Sequence, residues 1–86
     1  MSGLYDLLNL MYYYALRNDT QSVNELYPFA VRINESKNMK TQTYYDIDNV
    51  LNSIKQSSSI NFLHDIREQF LDDAQERLNK LYLKED

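Results

Sequence analysis

Residues 60–83 read INFLHDIREQFLDDAQERLNKLYL, a stretch with neither Gly nor Pro. Its apolar positions Leu63, Ile66, Phe70, Ala74, Leu78 and Leu81 recur mostly every three or four residues. At about 3.6 residues per turn they occupy roughly half of a helix circumference, so the spacing predicts an amphipathic helix rather than a strand. Ser59 is the expected N-cap. A helix over 60–83 would be about 36 Å long and the longest of the chain. The end of the chain, residues 83–86, is expected to fray.

The rest of the composition points the same way. One Gly and one Pro in 86 residues is too few for the left-handed turn positions that a β-sandwich or barrel needs at short intervals. Upstream, Leu4, Leu7, Leu8, Met11 and Ala15 share one helical face of a segment opened by Ser2 and closed by Asn18-Asp19-Thr20. A second segment begins with Ser22-Val-Asn-Glu25, a capping-box pattern, and keeps its stripe through Val23, Leu26, Tyr27, Ala30 and Val31. Pro28 lies in its path and leaves two helical readings open: one kinked helix to about residue 37, or a break at Tyr27 with a new start on Pro28. A third reading makes residues 29–33 a strand, paired near residues 39–45. A third helical stripe, Ile47, Val50, Leu51 and Ile54, is expected to start at a Thr43 cap and to stop before Gln56-Ser-Ser-Ser59. These segments predict an all-α fold: one domain over residues 1–86, a small antiparallel bundle of three to four helices with a long C-terminal helix.

Much chemistry is missing from this composition. Without Cys there is no thiolate nucleophile, disulfide or Cys-based metal site, and a reducing, cytoplasmic setting is the expected one. Gly3 alone cannot build a phosphate-binding loop, and His64 alone cannot make a two-histidine metal centre. The pairs Asp72/Asp73 and Asp46/Asp48 read as solvated helix faces, because acid–base work needs two carboxylates facing one cleft. No catalytic residue, metal or cofactor is therefore expected, and no window is long and apolar enough for a membrane span.

Two features suggest binding. Asp65, Glu68, Asp72 and Glu76 are spaced three, four and four apart, which places all four on one helical stripe. Eleven of the thirteen residues Leu4–Leu16 are apolar or Tyr, more than one helix normally buries within a small bundle. Tyr5, Leu10, Tyr12, Tyr13 and Leu16 should then lie exposed together, and such patches on soluble chains usually mark interfaces. The expected function is a non-enzymatic protein–protein interaction module, a small cytoplasmic regulator or inhibitor of a bacterium or its phage, or an immunity-type protein. Its partner-binding residues would be Tyr12, Tyr13, Leu16, Asp65, Glu68, Asp72 and Glu76, and it would be a homodimer.

The net charge of −4 gives no basic footprint for nucleic acid. The competing reading is nonetheless a nucleic-acid-binding regulator, with a helix-turn-helix-like region over residues 32–45 presenting Arg32, Lys37 and Lys40. A variant of it makes the last helix an acidic mimic of nucleic acid.

Overall fold

The computed structural model describes residues 3–36, 40–60 and 62–84. Among them are four helices and no strand: α1 Gly3–Leu16, α2 Thr20–Glu35, α3 Gln42–Ser59 and α4 His64–Lys84. The all-α bundle expected from the sequence is thus the fold. The Ser2 cap lies outside the described residues, as do Glu85 and Asp86 of the expected frayed end; α4 itself runs through Leu83 to Lys84.

Cross-helix contacts fix the topology as up-down-up-down. Arg67 at the start of α4 reaches the last carbonyls of α1, and Tyr5 meets Tyr82 at the opposite ends, with ring centroids 6.0 Å apart. Asn34 near the end of α2 donates to the Tyr44 carbonyl near the start of α3, while Lys55 near the end of α3 donates to Asn24 near the start of α2. Helices α1 and α3 touch across the centre, whereas α2 and α4 lie on opposite edges and do not meet among the described residues. The core is one cluster: Leu4, Leu8, Met11 and Ala15 from α1, Val23 and Ala30 from α2, Ile47, Val50, Leu51 and Ile54 from α3, and Leu71, Ala74, Leu78 and Leu81 from α4.

The α1–α2 connection is made by local hydrogen bonds. Asn18 adopts a left-handed φ of 61°, a conformation that Asn tolerates better than most residues. The Asp19 N–H then bonds the Tyr14 carbonyl and the Asn18 N–H bonds the Ala15 carbonyl, a Schellman closure with Asn in the usual glycine place. Asp19 next caps α2: its carboxylate accepts from the Ser22 N–H at 3.2 Å and from the Ser22 hydroxyl at 2.7 Å. The expected Ser22 cap is therefore corrected. Ser22 is the third residue of α2, and the stronger acceptor three positions earlier holds the end.

Pro28 neither breaks α2 nor leaves a strand after it, since one helix runs from Thr20 to Glu35. Proline cannot donate to the carbonyl four residues back, but burial of Val23, Ala30 and Asn34 on either side of it holds the helix in register. The cap of α3 moves as well. Thr41, not Thr43, accepts from the Tyr44 N–H at 3.3 Å.

The largest correction concerns Ser57–Ser59, expected to end one helix and cap the next. They are instead the last residues of α3. The Ser57 hydroxyl donates to the Ile54 carbonyl at 2.7 Å and that of Ser59 to the Lys55 carbonyl at 3.1 Å, so the side chains bond back along the helix instead of capping a new one. Ser53, Ser57 and Ser58 are buried. The face that α4 buries also shifts, from the expected Leu63–Ile66–Phe70 start to Arg67, Leu71, Ala74, Leu78 and Leu81, with Leu63 and Ile66 exposed.

Candidate interaction surfaces

Helix α1 divides its apolar residues between core and solvent. Leu4, Leu8, Met11 and Ala15 are buried, while Tyr5, Leu7, Tyr12 and Tyr14 pack against the core edge. Leu10, Tyr13 and Leu16 remain outside, 44%, 53% and 46% exposed. Residues three apart are neighbours on a helix surface, so these three form one continuous ridge on the outer side of α1. The Arg17 guanidinium stacks over the Tyr13 ring at 4.7 Å, which orders an otherwise free aromatic. The expectation that Tyr5 and Tyr12 join this patch in full is corrected, because both are half-buried.

Tyr12 sits beside α4. Its hydroxyl is held protonated above the ordinary value of 10.0, first by burial and then by the negative charge of Asp72. The structure thus brings together one tyrosine and one acid that the sequence reading had singled out separately. Asp65, Glu68, Asp72 and Glu76 are all exposed. Glu68 pairs with His64 at 2.9 Å and Glu76 with Lys80 at 3.5 Å, both solvent-exposed pairs, and such pairs contribute little to stability.

Adjacent Asp72 and Asp73 face different neighbours. Asp73 accepts from the Ser53 hydroxyl at 2.5 Å and from Arg77 at 2.9 Å, away from Tyr12. The Ser53 hydrogen bond holds the Asp73 carboxyl below its ordinary 3.8; partial burial opposes this, and Arg77 and Lys80 add to it. The two carboxylates therefore do not converge on one reacting centre. Asp46, Asp73, Glu76, Arg77 and Lys80 line a cleft between α3 and α4 of about 180 Å³, where acids and bases largely offset one another. Among the described residues no group of three His, Asp or Glu side chains is arranged to hold a metal ion, and no helix is long and apolar enough to cross a membrane.

The region drawn as a helix-turn-helix joins the end of α2 to the start of α3. Helices α2 and α3 run antiparallel, tied at both ends by Asn34–Tyr44 and Lys55–Asn24. Arg32 stacks on Phe29 at 5.7 Å and Lys40 on Tyr44 at 5.4 Å; Lys37 lies outside the described residues.

Two features escaped the sequence reading. Arg67 is buried, and its guanidinium donates to the Ala15 and Leu16 carbonyls at the end of α1. Leu63 and Ile66, expected on the buried stripe, are exposed together with Phe62 around an open hollow of about 320 Å³ that His64 and Asp65 complete. The one available signal was crowding: Ile60, Phe62, Leu63, Ile66, Phe70 and Leu71 are more apolar residues than one helix stripe can bury. No protein-family model matches the chain, and no curated protein or solved structure is significantly similar to it.

Proposed function

We propose that this chain is a non-enzymatic helical interaction module that acts by occupying the surface of a partner protein, and that it does so as a homodimer paired through α1. The observation that carries the reading is the ridge Leu10–Tyr13–Leu16, apolar, continuous and uncovered within the chain. Tyr and Arg are both enriched among the anchors of protein interfaces, and Arg17 stacked over Tyr13 presents the two together. A closed two-fold pairing is the commonest way for one chain to cover such a ridge, and it enlarges a core that is small at this chain length. A cytoplasmic regulator or inhibitor of bacterial or phage origin is the class that fits a chain of this size without cysteine.

Sedimentation equilibrium at micromolar concentration tests the pairing. The expected result is a mass that rises with concentration above the 10.3 kDa of one chain; a single species at that mass overturns the dimer. Tyr13→Glu with Leu16→Glu should give a folded, fully helical monomer, because both side chains are already exposed. Loss of helicity in that variant would place them in the core instead.

A further inference from the structure

The start of α4 carries a second exposed apolar surface, at the end of the bundle where Arg67 meets the last carbonyls of α1. Phe62 is 78% exposed, and Leu63 and Ile66 accompany it around the hollow that Asp65 also lines. The bundle does not need these three side chains. The α4 seam is filled by Leu71, Ala74, Leu78 and Leu81, with Arg67 occupying the last position toward this end. Three large apolar residues within five positions, left beside a complete core, are a local patch rather than the scattered exposure common to all surfaces.

The charge around the patch selects its occupant. Asp65, Glu68 and Asp72 are exposed along the first turns of α4. The one arginine among them, Arg67, is buried and turns its donors to the carbonyls of α1, so the surface groups here are the acids and His64, which lies on the rim and pairs with Glu68 at 2.9 Å. Asp65 borders the hollow directly, and successive acids at spacings of three and four continue the negative stripe from it. A second copy of the chain suits this face poorly, because a two-fold axis would set each acidic stripe near its own image, and like charges across an interface select against a partner. Cationic side chains flanking apolar ones are the complement. With no strand edge among the described residues, the binding mode that remains is a helix laid against helices, its apolar face in the hollow and its cations along the acids.

We propose that Phe62, Leu63 and Ile66, with Asp65 on the rim of the hollow and Glu68 and Asp72 farther along the exposed stripe of α4, dock a cationic amphipathic helix of a partner protein. This rests on the reading of the chain as a partner-binding module, though not on its dimerisation. The probe is a short synthetic amphipathic helix with leucines on one face and lysines on the other, fluorescently labelled and titrated with the full chain by anisotropy. Its counterpart carries glutamates in place of the lysines.

The lysine probe should bind, more weakly as salt rises, and the glutamate probe should not. Phe62→Ser with Ile66→Ser should weaken binding about tenfold or more, as removal of central apolar anchors does. Asp65→Asn, Glu68→Gln and Asp72→Asn together should weaken it about three- to tenfold and flatten the salt dependence. Asp6→Asn with Glu35→Gln, exposed acids at the far end of the bundle, should leave affinity within about a factor of two. All five exchanged residues at the patch are exposed, and circular dichroism verifies that each variant remains helical. Absence of binding by the lysine probe, equal binding of both probes, an unaffected Phe62/Ile66 variant, or an equal loss from the far-end neutralisation would each overturn the proposal. If the chain binds the probe but sediments as a monomer, the α1 pairing falls and this surface stands; the reverse result separates them the other way.

Discussion

Replacing Arg67 by Met isolates what a buried guanidinium does in this bundle. Met preserves much of the stem that packs between α1 and α4 while removing the charge and the donors. In the structure Arg67 is 8% exposed and donates to the carbonyls of Ala15 and Leu16, the latter at 3.2 Å. Among the described residues no carboxylate pairs with it. Its position in the opening turns of α4 is poor for a cation relative to its own helix dipole, but its head meets the negative end of α1.

Three effects then compete. Hydrogen bonds from a charged group contribute about 1.5–3 kcal/mol each when their loss strands a buried partner, and a cation at a partly buried helix C-terminus adds up to about 2 kcal/mol. Against them stands the cost of taking the charge out of water, several kcal/mol. The carbonyls are not wholly stranded by its loss. That of Ala15 also accepts from the Asn18 N–H, and Leu16 is exposed, so water can reach its backbone. The net expectation is a destabilisation of about 2 kcal/mol, near the lower end of the hydrogen-bond range. With a urea m-value of about 1 kcal/mol per molar for so small a chain, the unfolding midpoint should fall by about 2 M at unchanged m. Arg67→Ala should cost more, about 3–4 kcal/mol, because it also empties the space of the stem. A Met variant as stable as the parent would refute the reasoning, since desolvation would then cancel the contacts to α1.

Pro28→Ala restores a donor to the interior of α2 and should raise the melting temperature by several degrees, about 1–2 kcal/mol after the loss of proline's rigidity in the unfolded chain; an unchanged or lower melting point would mean that the Asn24 carbonyl is already satisfied. Ser53→Ala removes the largest cause of the low Asp73 pKa, so carboxyl chemical shifts should show Asp73 titrating closer to its ordinary 3.8. Because the folded value lies below the unfolded one, Asp73 stabilises the bundle fully above pH about 4 and loses that contribution as pH falls through its folded pKa; the Ser53 variant should show less of this acid sensitivity in denaturation midpoints. Asp72→Asn removes the smaller of two causes raising Tyr12, so its phenol absorbance should titrate at lower pH than in the parent yet still above 10.0. A Tyr12 titration unmoved by that exchange would separate the two side chains.

The core faces read correctly were those whose aliphatic residues recur at helical spacing. Of the α1 stripe, Leu4, Leu8, Met11 and Ala15 are buried and Leu7 packs at the core edge, while in α3 Ile47, Val50, Leu51 and Ile54 are all buried. The ridge Leu10–Tyr13–Leu16 was legible for a different reason, since a helix apolar on nearly every side cannot bury all of it. The acidic stripe of α4 followed from spacing alone, and all four acids are exposed.

Local rules were weaker wherever two groups could do one job. Asp19 and Ser22 are both good N-caps, as are Thr41 and Thr43, and the end of the preceding chain segment decides which one meets the free N–H groups. Ser57–Ser59 can cap, turn or continue a helix, because a hydroxyl bonds the carbonyl of its own helix as readily as it caps the next. Burial of Ser57 and Ser58 settled the matter. Composition and periodicity by themselves therefore determined that this chain is helical, how its core stripes lie on α1 and α3, and that apolar surface would remain uncovered. Only tertiary packing decided the rotation of α4, on which Leu63 and Ile66 lose their place in the core to Arg67 and Leu71. Two overlapping stripes differ little in apolar area, and the α1 carbonyls that Arg67 reaches belong to a helix some fifty residues away, beyond any local pattern.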